Sequence, residues 1–212
     1  MADENHTVPG LMGGWDSAVL VPVAEINQHM LQIVRASADE SAMASRPQPR
    51  LVSALSELWR ALDPAALQRL ANCPYLLLDA GFAAPERWDR LALDSGVMDG
   101  AASRGYFASP AGVALVRRTL VFAWHLARSN RMTARVLLGM TPQCAGRIAA
   151  STLKDLELLA ELCPLWVAPR WETHSTVWRQ LIQAAIDGRA APLRRVQLRG
   201  LQLLAAGERR GD

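Results

Sequence analysis

Residues 73–88 read CPYLLLDAGFAAPERW, and residues 163–178 read CPLWVAPRWETHSTVW. Each stretch opens on a Cys-Pro step, passes through a short apolar run and reaches a Trp fifteen positions after the Cys. A chain of 212 residues with 3 Cys and 7 Trp has few chances to repeat such a frame by composition alone. Working outward, the frame widens. Trp88 is followed by Leu91 and Trp178 by Leu181, three apart and therefore on one helical face. Upstream, Leu67, Leu70 and Ala71 are matched by Leu156, Leu159 and Ala160, an offset of 89 against 90 for the Cys-to-Trp frame. Offsets of that length exceed solenoid repeats of about 20–50 residues and point to a duplicated domain. The expected architecture is all-α: two tandem helical modules related by a pseudo-two-fold. Cys73, Trp88, Leu91, Cys163, Trp178 and Leu181 are then repeat-core or interface residues.

Apolar residues recur at helical spacing between Pro and Gly punctuation. Residues 1–21 read as an irregular arm, 22–98 as the first module, 99–111 as a Gly/Ser/Ala-rich linker, 112–188 as the second module and 189–212 as a basic amphipathic helix and tail. Within the first module the pattern predicts helices over about 23–36 and about 51–59. A third is capped by Asp63 with Pro64 at its first position. CPYLLLDAGF is expected to be extended, and a helix opens at Pro85. The second module repeats the order with a helix over about 113–128, two short helices (MTARVLLGM, then PQCAGRIAA behind Thr141) and TLKDLELLAEL. The final segment, LRRVQLRGLQLLAA, has no counterpart in the first half.

Charge is divided unevenly. Residues 1–100 hold 7 Arg against 13 Asp+Glu, a balance of −6, and residues 101–212 hold 16 Lys+Arg against 7 Asp+Glu, a balance of +9. That split fits an anionic partner for the second half, or complementarity between the halves. The odd cysteine count, without a C-x-x-C pair or zinc spacing, argues against disulfide and metal frameworks and for buried thiols in a reducing compartment. No run of about 18 apolar residues occurs, so no membrane span is expected. The acidic N-terminus lacks a secretory layout, and the expected location is cytoplasmic.

The second module resembles a known family. VFAWHLARSNRMTARVLLGM and TLKDLELLAELCPLWVAPRWETHSTVWRQL are similar to the flagellar transcriptional regulator FlhD, over about 75 residues. The likeness lies in the apolar helix, the short helix ending Leu-Gly-apolar, the leucine helix and an Arg-aromatic-acidic-x-His junction, here Arg170, Trp171, Glu172, Thr173 and His174. EINQHMLQI in the first half resembles the family's opening helix. The resemblance implies a helical subunit of a heteromeric transcriptional activator with FlhC, and a tandem chain standing in for the family's homodimer. The Cys that joins subunits in the family corresponds to Val167, so that link is absent.

Function follows two lines. The first is a non-enzymatic FlhD-like regulator subunit that assembles with a protein partner, FlhC-like or a second copy, and touches DNA jointly with it. The alternative is a helical adaptor binding only protein, in a secretion or motility assembly. Candidate DNA or partner contacts are Arg170, His174, Arg179, Arg189, Arg194, Arg195 and Arg199. The densest group is GRAAPLRRVQLRG, with no acid from Gly188 to Gly207 and with Arg195 and Arg199 on one face. The competing expectation is the solvated face of an amphipathic helix whose Leu198, Leu201 and Leu204 pack inward. His174, just before a helix, is either a partner contact or a local partner of Glu172, and the local structural role is the expected one. His125 and His29 are expected to be semi-buried, and Trp59, Trp88, Trp124, Trp166 and Trp178 to be core or subunit interface. No cofactor, small-molecule substrate or catalytic residue is inferred. The nearest enzyme reading is a Cys144 thiolate favoured by a helix start, with His125 as base.

Overall fold

In the computed structural model, which describes residues 17–40, 49–88, 105–162 and 167–208, the chain is built from helices and one two-residue ladder. Leu91 and Cys163 from the repeat frame, and Trp166, lie outside the described residues.

The first half opens with α1 (Ser17–Glu40), longer at both ends than its pattern predicts. Residues 17–21, expected to belong to an irregular arm, are helical, and Pro22 lies inside the helix. A proline so near a helix start interrupts one backbone hydrogen bond, and Val19 and Leu20 pack against the core on that same turn. The expected 51–59 helix is two helices, α2 (Arg50–Ala54) and α3 (Ser56–Ala61), broken at Leu55. Leu55 leaves helical geometry at φ −128° and is 2% exposed, so its packing overrides local propensity. α4 (Pro64–Ala71) starts as its sequence predicts: the Asp63 carboxylate accepts from Ala66 N at 2.6 Å, and Leu67, Leu70 and Ala71 are buried.

The second half begins earlier than its boundary suggests. α5 (Pro110–Ser129) is capped by Ser109, and Phe107, assigned above to a linker, is wholly buried, with Gly112 packed against its backbone. α6 (Arg131–Leu138) follows one residue later, capped by the Asn130 side chain, and ends at Gly139 with φ +63°. α7 (Pro142–Ala150) is capped by Thr141, and α8 (Leu153–Leu162) supplies Leu156 and Ala160 to the core. α9 (Ser175–Asp187) and α10 (Ala190–Glu208) complete the chain.

Packing joins the halves. α1 rests on α2, α3 and α4, while α5 rests on α6, α7 and α8, and the two long helices touch. α9 packs on α3 and α4 of the first half as well as on α10. Trp178 of α9 meets Trp59 of α3 at 5.4 Å between rings, and Arg69 of α4 donates to Ala185 O at 2.8 Å. In the opposite sense, the segment after CPYLL lies on α7: Thr141 N donates to Phe82 O at 3.1 Å, and Arg147 donates to Pro85 O at 2.6 Å.

The two Cys-Pro segments meet between the halves. β1 (Leu78–Asp79) pairs antiparallel with β2 (Ala168–Pro169), Leu78 opposite Pro169 and Asp79 opposite Ala168. Adding 90 to one partner of either pair and subtracting 90 from the other gives the second pair. Local geometry after the strands also recurs at that offset. Gly81 and Trp171 both have positive φ, 75° and 55°. Ala84 N donates to Gly81 O and His174 N to Trp171 O, at 3.1 and 2.8 Å. A helical turn at 85–88 then follows on one side and α9 on the other. Both indoles reach back to this turn, Trp88 to Gly81 O at 3.0 Å and Trp178 to Arg170 O at 2.6 Å. Trp171 holds a left-handed conformation that strains a non-glycine residue by roughly 1–2 kcal/mol, and its ring packs edge-on against Tyr75 at 5.8 Å.

Candidate functional site

Five of the seven candidate contact residues lie on α9, α10 and the turn between them. α9 buries Trp178, Leu181, Ile182, Ala184 and Ala185, which leaves Arg179 exposed on its outer side. Gly188, at φ +69°, ends α9 and reverses the chain. α10 turns Leu193, Gly200 and Leu204 inward, with Val196 and Leu201 half-buried. The remaining arc therefore faces outward and carries Arg194, Arg195, Leu198 and Arg199. Leu198 is 45% exposed, so the expectation that it packs inward is corrected: it sits more than a third of a turn, roughly 120–140°, round the helix from Leu193 and Leu204.

Arg189 is exposed and pairs loosely with Asp187 at 3.8 Å. Arg199 reaches Gln180 Oε1 at 3.4 Å. The sequence reading missed Arg69, whose guanidinium lies beside Gly188 and, through Ala185 O, at the C-terminus of α9, where the helix dipole favours a cation. Nothing in the local sequence of α4 signals this, because its partner is 116 residues away. The result is a mainly cationic surface of guanidinium groups, charged at any physiological pH and shaped for two-point contact with carboxylate or phosphate oxygens.

Arg170 does not belong to that surface. It is 6% exposed, and its donors go to the chain itself: Nε to Leu76 O at 2.9 Å, Nη2 to Leu78 O at 3.2 Å and to Leu138 O at 2.8 Å. The expectation of an external contact is corrected, since these bonds tie β1 of the first half to the end of α6 in the second. Burial lowers its affinity for its proton, and nearby Asp79 opposes that shift. His174, four residues on, is exposed at the N-cap of α9 with Nδ1 3.0 Å from Thr173 Oγ1. Its side chain makes no cap hydrogen bond.

Beneath α10 lies a second group of buried polar atoms. Gly200 sits on the Tyr75 ring so closely that a Cβ would overlap the phenol oxygen. Gln197 Nε2 is 3.7 Å from Cys73 Sγ. Desolvation pushes the Cys73 thiol up to about 12, and burial raises the Tyr75 phenol as well. Further along, Leu204 rests over Gly139 beside Arg170. α10 is thus a strap that crosses from the Cys-Pro segment of the first half to the α6 terminus of the second.

Cys73 and Cys144 are free and buried. Burial raises the Cys144 thiol despite its place at the start of α7, opposite in sign to what the enzyme reading of that thiol requires. His125 is exposed rather than semi-buried, because it falls on the outer side of α5, while His29 is half-buried as expected. Trp59, Trp88 and Trp178 are core, and Trp124 is half-buried with its indole bonded to Ser151 O at 2.8 Å. Among the described residues, no cluster of His, Cys, Asp or Glu is placed to hold a metal, and no helix is long and apolar enough to cross a membrane. Compared with known proteins, the chain matches no family model, no curated protein and no solved structure.

Proposed function

We propose that the chain is a non-enzymatic regulator subunit, a doubled FlhD-like module, whose outer α9–α10 face touches nucleic-acid phosphates jointly with a protein partner. The observation that carries this reading is the exposed set Arg179, Arg189, Arg194, Arg195 and Arg199, with Arg69 at its corner. Doubling is supported by the 90-residue recurrence of the ladder register and the left-handed turn. Resemblance to FlhD rests on the sequence motifs alone.

Each phosphate neutralised releases condensed counterions, so binding should weaken steeply with salt. Gel shifts of a short duplex across a salt series, with the wild type and Arg194→Ala/Arg195→Ala/Arg199→Ala, test the reading. The expected result is a log–log salt slope shallower by about 2–3 in the variant, at roughly 0.9 per lost phosphate contact. An unchanged slope removes α10 from the interface. A second reading, a purely protein-binding adaptor, is favoured by the exposure of Leu198 among the arginines, since an apolar side chain gains nothing from a phosphate backbone. Absence of duplex binding with every co-purified partner present would leave that reading.

A further inference from the structure

We infer that the outward face of α6 is a docking surface for an acidic amphipathic helix of a protein partner. The inference rests on the reading of the chain as an assembly subunit, and it assigns the partner a chemistry. α6 already fills its inner side with Ala134, Leu137 and Leu138. Its opposite side nevertheless carries Met132, 64% exposed, and Val136, 38% exposed, four residues apart and so stacked along the helix. Met132 is the most exposed of the large hydrophobic residues among those described. An eight-residue helix with apolar residues on both sides has one side too many for its own core.

The flank of that stripe is cationic. Arg131 and Arg135 are also four apart, and Arg135 Nη1 lies 3.9 Å from Met132 Sδ, so guanidinium and thioether form one surface. Across the Asn130 turn, exposed Arg128 extends the flank, held 4.7 Å over the Trp124 ring. No Asp or Glu occurs from residue 100 to residue 154. On the neighbouring α5, Arg117 pairs with Glu161 at 2.9 Å and Arg118 with Glu25. An acidic helix with apolar anchors satisfies both the stripe and its flank, whereas a phosphate backbone satisfies only the flank. Methionine adapts readily to such anchors, and arginine is enriched where they dock.

The test uses the full chain and a fluorescein-labelled synthetic helix with leucines at i, i+4 and i+7 and glutamates beside them, followed by anisotropy. Met132→Ser/Val136→Ser, and separately Arg131→Ala/Arg135→Ala, should each weaken binding by about tenfold, the scale of losing a central anchor. Saturating peptide should also slow peroxide oxidation of Met132 in the wild type, a readout that needs no variant. The inference is overturned if either variant binds the peptide as the wild type does, or if a leucine-to-serine peptide binds equally well. It is overturned too if the apolar double variant dissociates a self-associated wild type in sedimentation, which would make a second copy the occupant. Arg194→Ala/Arg195→Ala/Arg199→Ala should leave peptide binding within about twofold, so failure of this surface and failure of the α10 reading remain separable.

Discussion

Arg170 brings a positive charge to the boundary between the halves and surrounds it with three backbone carbonyls. Each of those oxygens is buried, so truncating the side chain leaves acceptors without donors rather than merely removing a contact. Arg170→Met should lower the unfolding free energy in urea by about 3 kcal/mol or more. Arg170→Lys should recover little of it, because one ammonium cannot span the carbonyls that a planar guanidinium reaches. Cys73 makes a prediction in pH. Its thiol is pushed from an ordinary value of 9.0 up to about 12 in the folded chain. Below the unfolded value both states hold the proton and stability does not change with pH. Between about 9 and 12 only the folded state holds it, so stability falls as pH rises. In Cys73→Ala, alkaline urea titrations should show a slope shallower by up to one proton, with the Tyr75 contribution remaining. The sequence places Cys73 in the core but not its neighbours, since Gln197 is 124 residues away. It also marks Arg170 by motif while giving no sign that the guanidinium points inward.

At the scale of elements, capping was the most legible feature. Asp63 with Pro64, and Thr141 with Pro142, start α4 and α7 as read, because a cap is a local bond between residues three apart. Asp63→Ala should cost about 1 kcal/mol in thermal or urea unfolding. The break at Leu55 and the helix through Pro22 were not legible, because each is decided by what the side chains bury rather than by local preference. α10 was read correctly as basic and amphipathic, yet its inward stripe was misplaced at Leu198. The actual seat is Gly200 on Tyr75. Gly200→Val should lift the strap, lower the melting temperature by several degrees and open Cys73 to thiol reagents under conditions where the wild type resists them. Equal labelling of the two proteins would show that α10 tolerates the extra bulk in place.

For the molecule as a whole, the helical class could be read from apolar spacing, but the packing of α9 on the first half could not. Spacing records the order of elements, and nothing in it says that α9 packs on α3 and α4. With Trp59 against Trp178 and Arg147 against the 85–88 turn, neither half retains a complete core alone. Unfolding should therefore be one cooperative event. Leu156→Ala in the second half and Leu70→Ala in the first, both at fully buried sites, should each lower stability by about 2–5 kcal/mol. Each should also lower amide protection in both halves alike, as hydrogen exchange would show. Protection lost on one side only would mean that the halves melt independently.

The ladder between the Cys-Pro segments has a further consequence. Ninety positions before Arg170 stands Ala80, also buried. The ladder thus has a guanidinium beside one strand and a methyl group at the matching position of the other. An assembly of identical subunits would have to place that charge twice or omit it. One polypeptide is under no such obligation: position 80 can hold a methyl group where position 170 holds a guanidinium, and a single helix, α10, can strap one side alone.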